Sequence, residues 1–183
     1  MPGFRCLQAV TLNALRGFGR NRRGATAVEF ALVAPFFFGL LFAIIEVGLV
    51  FFAGQLLETG TQDSARAFLT QTNPALASDF KQLVCDRVKM LLNCDDLRVD
   101  VQSFAPGATI DIKNPIDSKT GAFVDSFVYT LPPSANSNYT IVVRSFYPWP
   151  LFVTKLGFDM SNIGRGTANS KHLLAATAAL RPQ

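Results

Sequence analysis

Histidine is almost missing: the 183-residue chain has one, His172, and it lies in the C-terminal tail. As a lone side chain there, it fits a surface or half-buried position better than a metal ligand or general base. No Walker sequence, zinc-ligand spacing or dinucleotide fingerprint occurs, so no cofactor is expected. A serine–histidine–acid set stays open by position alone, yet no nucleophile-elbow motif accompanies it. No internal repeat is visible. The expectation is a protein that is not an enzyme.

Acidic residues are missing from one end. Residues 1–24 carry Arg5, Arg16, Arg20, Arg22 and Arg23 and no carboxylate, whereas the rest of the chain has twelve basic and thirteen acidic side chains. The net charge of +4 therefore belongs to one short segment. That distribution argues against a polyanion-binding domain, and no nucleic acid partner is expected.

Charge is scarcest from Phe30 to Gly54, where 25 residues hold a single ionisable group, Glu46. As a helix this run is about 37 Å long, enough to cross a hydrocarbon core of about 30 Å with some tilt. Its seven phenylalanines exceed what one core helix of so small a domain usually hides. A single-pass membrane segment follows, in contact with lipid. The basic flank before it places the N-terminus in the cytoplasm and the chain from about residue 55 outside. The run is too long for a cleaved signal peptide, so a signal-anchor fits better.

The organisation read along the chain is a basic leader over 1–24, a long helix over 25–70 with its membrane segment at about 30–54, and an exported head over 75–183. Pro35 lies inside the helix and removes one backbone donor. Asn73-Pro74 ends it. Ser78 is the expected N-cap of a short amphipathic helix reaching about residue 92, with Asp79 near its positive end. "LRVDVQSF" (97–104) alternates, with Leu97, Val99 and Val101 on one face and Arg98, Asp100 and Gln102 on the other. A weaker strand is expected near 109–112, and further strands at 122–131 and 139–149. The tail "SKHLLAATAALR" reads either as a helix, by its alanines, or as a last antiparallel strand, by its place. The fold class is α+β, with a mostly antiparallel sheet in the head.

Of three cysteines, Cys6 falls in the leader, while Cys85 and Cys94 fall on the oxidising side. Nine residues apart in one helix they would sit about 13.5 Å apart, too far to bond. A bridge requires the helix to end near Asn93; two separately buried thiols are the alternative. Two readings also stand for Glu46: a neutral acid bonded to a neighbouring group, or a contact to another membrane helix. The aromatic residues around Arg144 (Phe146, Tyr147, Trp149) read either as a stacking surface or as a packing patch.

The stretch Gly24-Ala25-Thr26-Ala27-Val28-Glu29-Phe30 resembles the processing site of type IV prepilins of the tight-adherence class. There a peptidase cuts after glycine, and glutamate and an aromatic residue take the fifth and sixth mature positions. A cut after Gly24 would make Ala25 the new N-terminus, Glu29 fifth and Phe30 sixth. More widely, "RRGATAVEFALVAP", "IIEVG" and "YTIVVRSFYPWP" look like the TadE-like family of pseudopilins, over about residues 20–181 and most specifically at the N-terminus. That resemblance implies a pilin-like architecture and a minor component of tight-adherence (Flp-type) pilus assembly, held in the bacterial inner membrane with its head periplasmic, or outside the cell in the pilus. It implies as partners a prepilin peptidase, other pilins and pseudopilins, and the inner-membrane assembly platform, with Glu29, Phe30 and Glu46 serving assembly. A membrane-anchored periplasmic enzyme or ligand-binding domain with a prepilin-like anchor is the competing reading.

Overall fold

The computed structural model describes residues 24–70, 77–124, 127–130, 138–152, 159–167 and 169–181. The leader up to residue 23, with Cys6, and the Asn73-Pro74 stop lie outside them. Helix α1 runs from Ala25 to Thr70 and passes through Pro35. Helix α2 spans Ala77–Val88, with Asp79 in its first turn and Arg87 in its last, both favourable to the helix dipole. Three strands follow, β1 (Arg98–Phe104), β2 (Thr140–Pro150) and β3 (Lys171–Leu180), in one antiparallel sheet ordered β1-β2-β3. The fold is α+β, and the ambiguous tail is a strand.

Three expectations are corrected. Ser78 does not precede α2 as a cap, because the helix already begins at Ala77. α2 stops at Val88, and a turn carries the chain on through Leu91 and Leu92, whose amides both bond the carbonyl oxygen of Val88 at 3.0 Å. The stretches near 109–112 and 122–131 form no strand among the described residues. They make only isolated bridges, Ile116 with Phe123 and Val101 with Tyr129. Pro106-Gly107 and Asn114-Pro115 explain this: turn residues so close together leave no length for a ladder.

The residues from Ala43 onward form one compact unit. Its core sits between one face of the sheet and the two helices. α1 contributes Val50, Ala53, Leu57, Thr61, Ser64 and Ala65, a stripe at helical spacing. α2 contributes Phe80, Val84 and Val88, and the sheet contributes Val101, Ile141, Val143, Tyr147, Leu174, Ala176 and Ala178. The polar members of the stripe are satisfied: Thr61 Oγ1 donates to the Leu57 carbonyl at 2.7 Å, and Ser64 Oγ accepts from Arg87 at 3.1 Å. Cys85 and Cys94 are bonded, with Cα atoms 5.6 Å apart, which the early end of α2 permits. The Asn93 amide donates to the Tyr147 hydroxyl at 3.3 Å and so ties this turn to β2.

The other unit ends at Phe42, and its described residues from Ala25 onward are helix with no buried side chain. That part of α1 is long and apolar enough to belong to a membrane span.

α1 and α2 come close together at Gly60. A Cβ there would lie 2.8 Å from Cγ1 of Val88, a stiff and fully buried side chain that cannot swing away. Alanine's better helix propensity gives back about 1 kcal/mol, against about 1–3 kcal/mol for overpacking. Gly60→Ala is therefore expected to lower the unfolding free energy by about 1 kcal/mol. Gly48→Ala, where the added Cβ meets nothing within 4 Å, should not lower it. Denaturant unfolding of the detergent-solubilised protein, followed by fluorescence of its one tryptophan, distinguishes the two.

Candidate functional site

The residues singled out at the start of α1 all face outward. Gly24 stands immediately before the helix, and a Cβ built on it meets nothing within 4 Å. Packing among the described residues therefore gives no reason for a glycine there. Ala25, Glu29 and Phe30 are exposed, Phe30 by 68%. Leu32, Val33, Phe36, Phe38, Leu41 and Phe42 continue the exposure on every side of the helix. In water such a surface would be strongly unfavourable, so this segment needs lipid or other apolar helices around it.

Glu46 has a different setting. It lies four residues before Val50 and is the first member of the stripe by which α1 meets the sheet. It is half-buried, and its carboxylate accepts the backbone N–H of Phe152, two residues beyond the end of β2. The structure thus gives Glu46 a partner within its own chain.

How β2 reaches so far along α1 follows from its sequence. Ile141, Val142, Val143, Phe146, Tyr147 and Trp149 are β-branched or aromatic, and the strand is buried on both faces. β1 ends at Arg98 opposite Phe146, so Tyr147–Pro150 pair with β3 alone. An edge position of this kind tolerates Pro148 and Pro150. Phe146, Tyr147 and Trp149 are buried, which assigns the aromatic group to packing and not to a stacking surface.

The feature least visible beforehand is on the sheet face away from the helices. Asp100 and Arg144 are directly opposed in the β1–β2 register, at 1% and 8% exposure. Arg144 Nε and Nη2 donate to Asp100 Oδ2 at 2.8 and 2.6 Å, and Arg144 Nη1 donates to the Lys113 carbonyl at 3.0 Å. Asp100 Oδ1 accepts the Val128 amide at 2.9 Å. Gln102 Nε2 also reaches Asp100 Oδ2, at 2.9 Å. Phe127 stacks on Phe146 with ring centroids 5.1 Å apart, and the guanidinium lies 5.2 Å from the Phe146 ring. Every strong donor and acceptor is met by strand or loop, so the pair's chemistry is that of a clamp. It holds the β1–β2 connection against the sheet. His172, at the start of β3, has its Nδ1 2.7 Å from the Met160 carbonyl, in keeping with a half-buried structural residue.

Tyr129 belongs to the same connection. Its amide-linked neighbours bond Val101 on both sides, and desolvation, with Asp79 adding to it, pushes its hydroxyl up to about 12.

Residues 24–66 match a family model described as TadE-like protein, so the resemblance carried by the glycine–glutamate–phenylalanine spacing holds over that segment. The match begins at Gly24 and covers most of α1; the sheet lies beyond it. No curated protein and no solved structure matches the chain.

Removing one member of the clamp strands the other in the interior. Asp100→Ala is expected to destabilise the head by about 3–5 kcal/mol. Asp100→Ala combined with Arg144→Leu should recover part of that loss, because no buried charge is then left without its partner. Denaturant midpoints of the three variants and the parent test this as a double-mutant cycle.

Proposed function

We propose that this TadE-like chain is a minor pilin-like component of tight-adherence pilus assembly that acts by joining other subunits and has no chemistry of its own. In this reading the leader lies in the cytoplasm, α1 crosses the bacterial inner membrane, and the head stands in the periplasm. A prepilin peptidase cuts after Gly24. The observation that supports the reading most is the start of α1: an open glycine is followed by an apolar helix on which no described side chain is buried as far as Phe42. A peptidase working at the membrane face needs backbone without a side chain at the cut. A subunit that assembles through its anchor needs that anchor bare.

Glu29 follows from the same chemistry. After cleavage the amine of Ala25 is a new positive charge at the membrane surface, and Glu29 is four residues away. Either charge alone is costly to bury, so a neighbouring subunit is stabilised when its amine meets this carboxylate in register. Phe30, exposed beside it, packs against the same neighbour. The competing reading, an anchored enzyme or ligand-binding domain, gives cleavage no role, so the mature N-terminus separates the two.

Two outcomes are expected. Co-expression with the cognate prepilin peptidase should leave Ala25 as the N-terminus by mass spectrometry, and Gly24→Val should block the cut. Intact protein in piliated cells would count against the proposal. Glu29→Leu should insert, fold and be cleaved normally while losing cross-links to other pilins and reducing pilus number. Unchanged cross-links and piliation would leave Glu29 a solvated interfacial acid.

A further inference from the structure

The bond between Glu46 and the Phe152 amide fixes where the head ends along the anchor helix. Phe152 is 80% exposed, and α1 near this level exposes Ile45 and Leu49. An apolar side chain at the tip of an exported domain would ordinarily be out of place. Here it stands beside a helix that is itself apolar on its outer side.

Depth is the question this raises. By composition the apolar run reaches Gly54, which would set Glu46 deep in hydrocarbon. The structure places non-helical backbone, Pro150 to Phe152, at the level of Glu46. Irregular backbone exposed to lipid does not occur within the hydrocarbon region, because its polar groups would go unmet. The bilayer boundary must therefore lie near Glu46. The lengths agree: Ala25 to Ile45 is 21 residues, about 31 Å of helix against a hydrocarbon core of about 30 Å.

We infer that the outer boundary of the bilayer lies at Glu46, and that Leu151 and Phe152 form a lip of the head inserted at the headgroup–acyl boundary of the lipid. Glu46 positions the lip. Its carboxylate meets the Phe152 amide, which would otherwise face apolar surroundings, and the boundary gives the carboxylate access to water. The residues Val50–Ala65 then belong to the head's core and stand outside the membrane. This rests on α1 being a membrane anchor, but not on pilus assembly.

The test uses the full chain with Cys6→Ser, reconstituted in vesicles of phosphatidylethanolamine and phosphatidylglycerol. Cys85 and Cys94 are bonded to each other, so a nitroxide label goes only to an added cysteine. Labels are placed at Phe152→Cys, at Leu40→Cys within the anchor, and at Met90→Cys, a 94% exposed position on the head. Collisions with oxygen, which partitions into lipid, are compared with collisions with a water-soluble nickel chelate. The label at 152 is expected to favour oxygen, at a shallower depth than the label at 40, while the label at 90 meets the chelate freely. A label at 152 as open to chelate as that at 90, with 40 still deep, overturns the inference and leaves the anchor intact. A label at 152 shielded from both reagents means protein covers it, which also overturns the inference. Chelate access at 40 equal to that at 90 overturns the anchor itself, and the lip with it. In the Glu46→Leu background chelate collisions at 152 should rise several-fold, and in Glu46→Gln, which keeps an acceptor oxygen, they should not. Equal collisions in Glu46→Leu and its parent overturn the part given to Glu46.

Discussion

One helix has to satisfy two different surroundings, and the rest of the molecule is arranged around that demand. Up to Phe42 the side chains of α1 are mostly apolar, and none of those described is buried. From Glu46 onward one stripe turns to a protein core while the opposite side stays exposed. A helix in lipid can be uniformly apolar. A helix on a sheet needs a narrow face of small and medium residues so that strands can come close. Val50, Ala53, Leu57, Gly60, Thr61 and Ser64 are such a face, and Phe51 and Phe52 are kept off it.

The sheet is built to the same end. Its helix-facing side is mostly apolar, with Ser145 buried among Val143, Tyr147 and Ala176, and the helices close the core over it. Its far side is closed by a connection with little regular structure, and a buried ion pair does the closing. A loop without ladders has few backbone bonds to hold it, so a single carboxylate that accepts from an arginine, a glutamine and a main-chain amide gathers several contacts at one point. Such a pair gives little net stability but is specific: only one placement of the loop satisfies it.

Much of this was legible beforehand, and the reasons differ by element. The long helix, its bounds and the strand at 98–104 follow from composition and alternation, which report local structure directly. The tail was ambiguous because alanine favours helix in isolation, whereas pairing with β2 over ten residues outweighs that preference. The strand expected near 109–112 rests on the turn residues that bracket it and the one at 122–131 on its strand-like residues, and turns so closely spaced leave no length for a ladder. Asp100 was read with Arg98 and Gln102 as one polar edge of a half-buried strand. Nothing periodic announces that Phe123 and Phe127 will cover that edge. The available signal was Arg144, a charge in the middle of an apolar strand, which implies an opposite charge across the register. Glu46 was hardest to place, because an apolar run does not say which of its turns belong to lipid and which to protein.

The long contact between α1 and the head has a mechanical meaning. The stripe from Glu46 to Ala65 lies along the helix axis, so a pull on the anchor in the direction of that axis loads its contacts in shear. They share the force and must slip together, since sliding by one turn would drive Gly60 away from Val88 and put a bulkier residue against it. A sideways pull would instead open the contacts one after another, beginning at the Glu46–Phe152 bond. The same packing is therefore strong along the helix and weak across it.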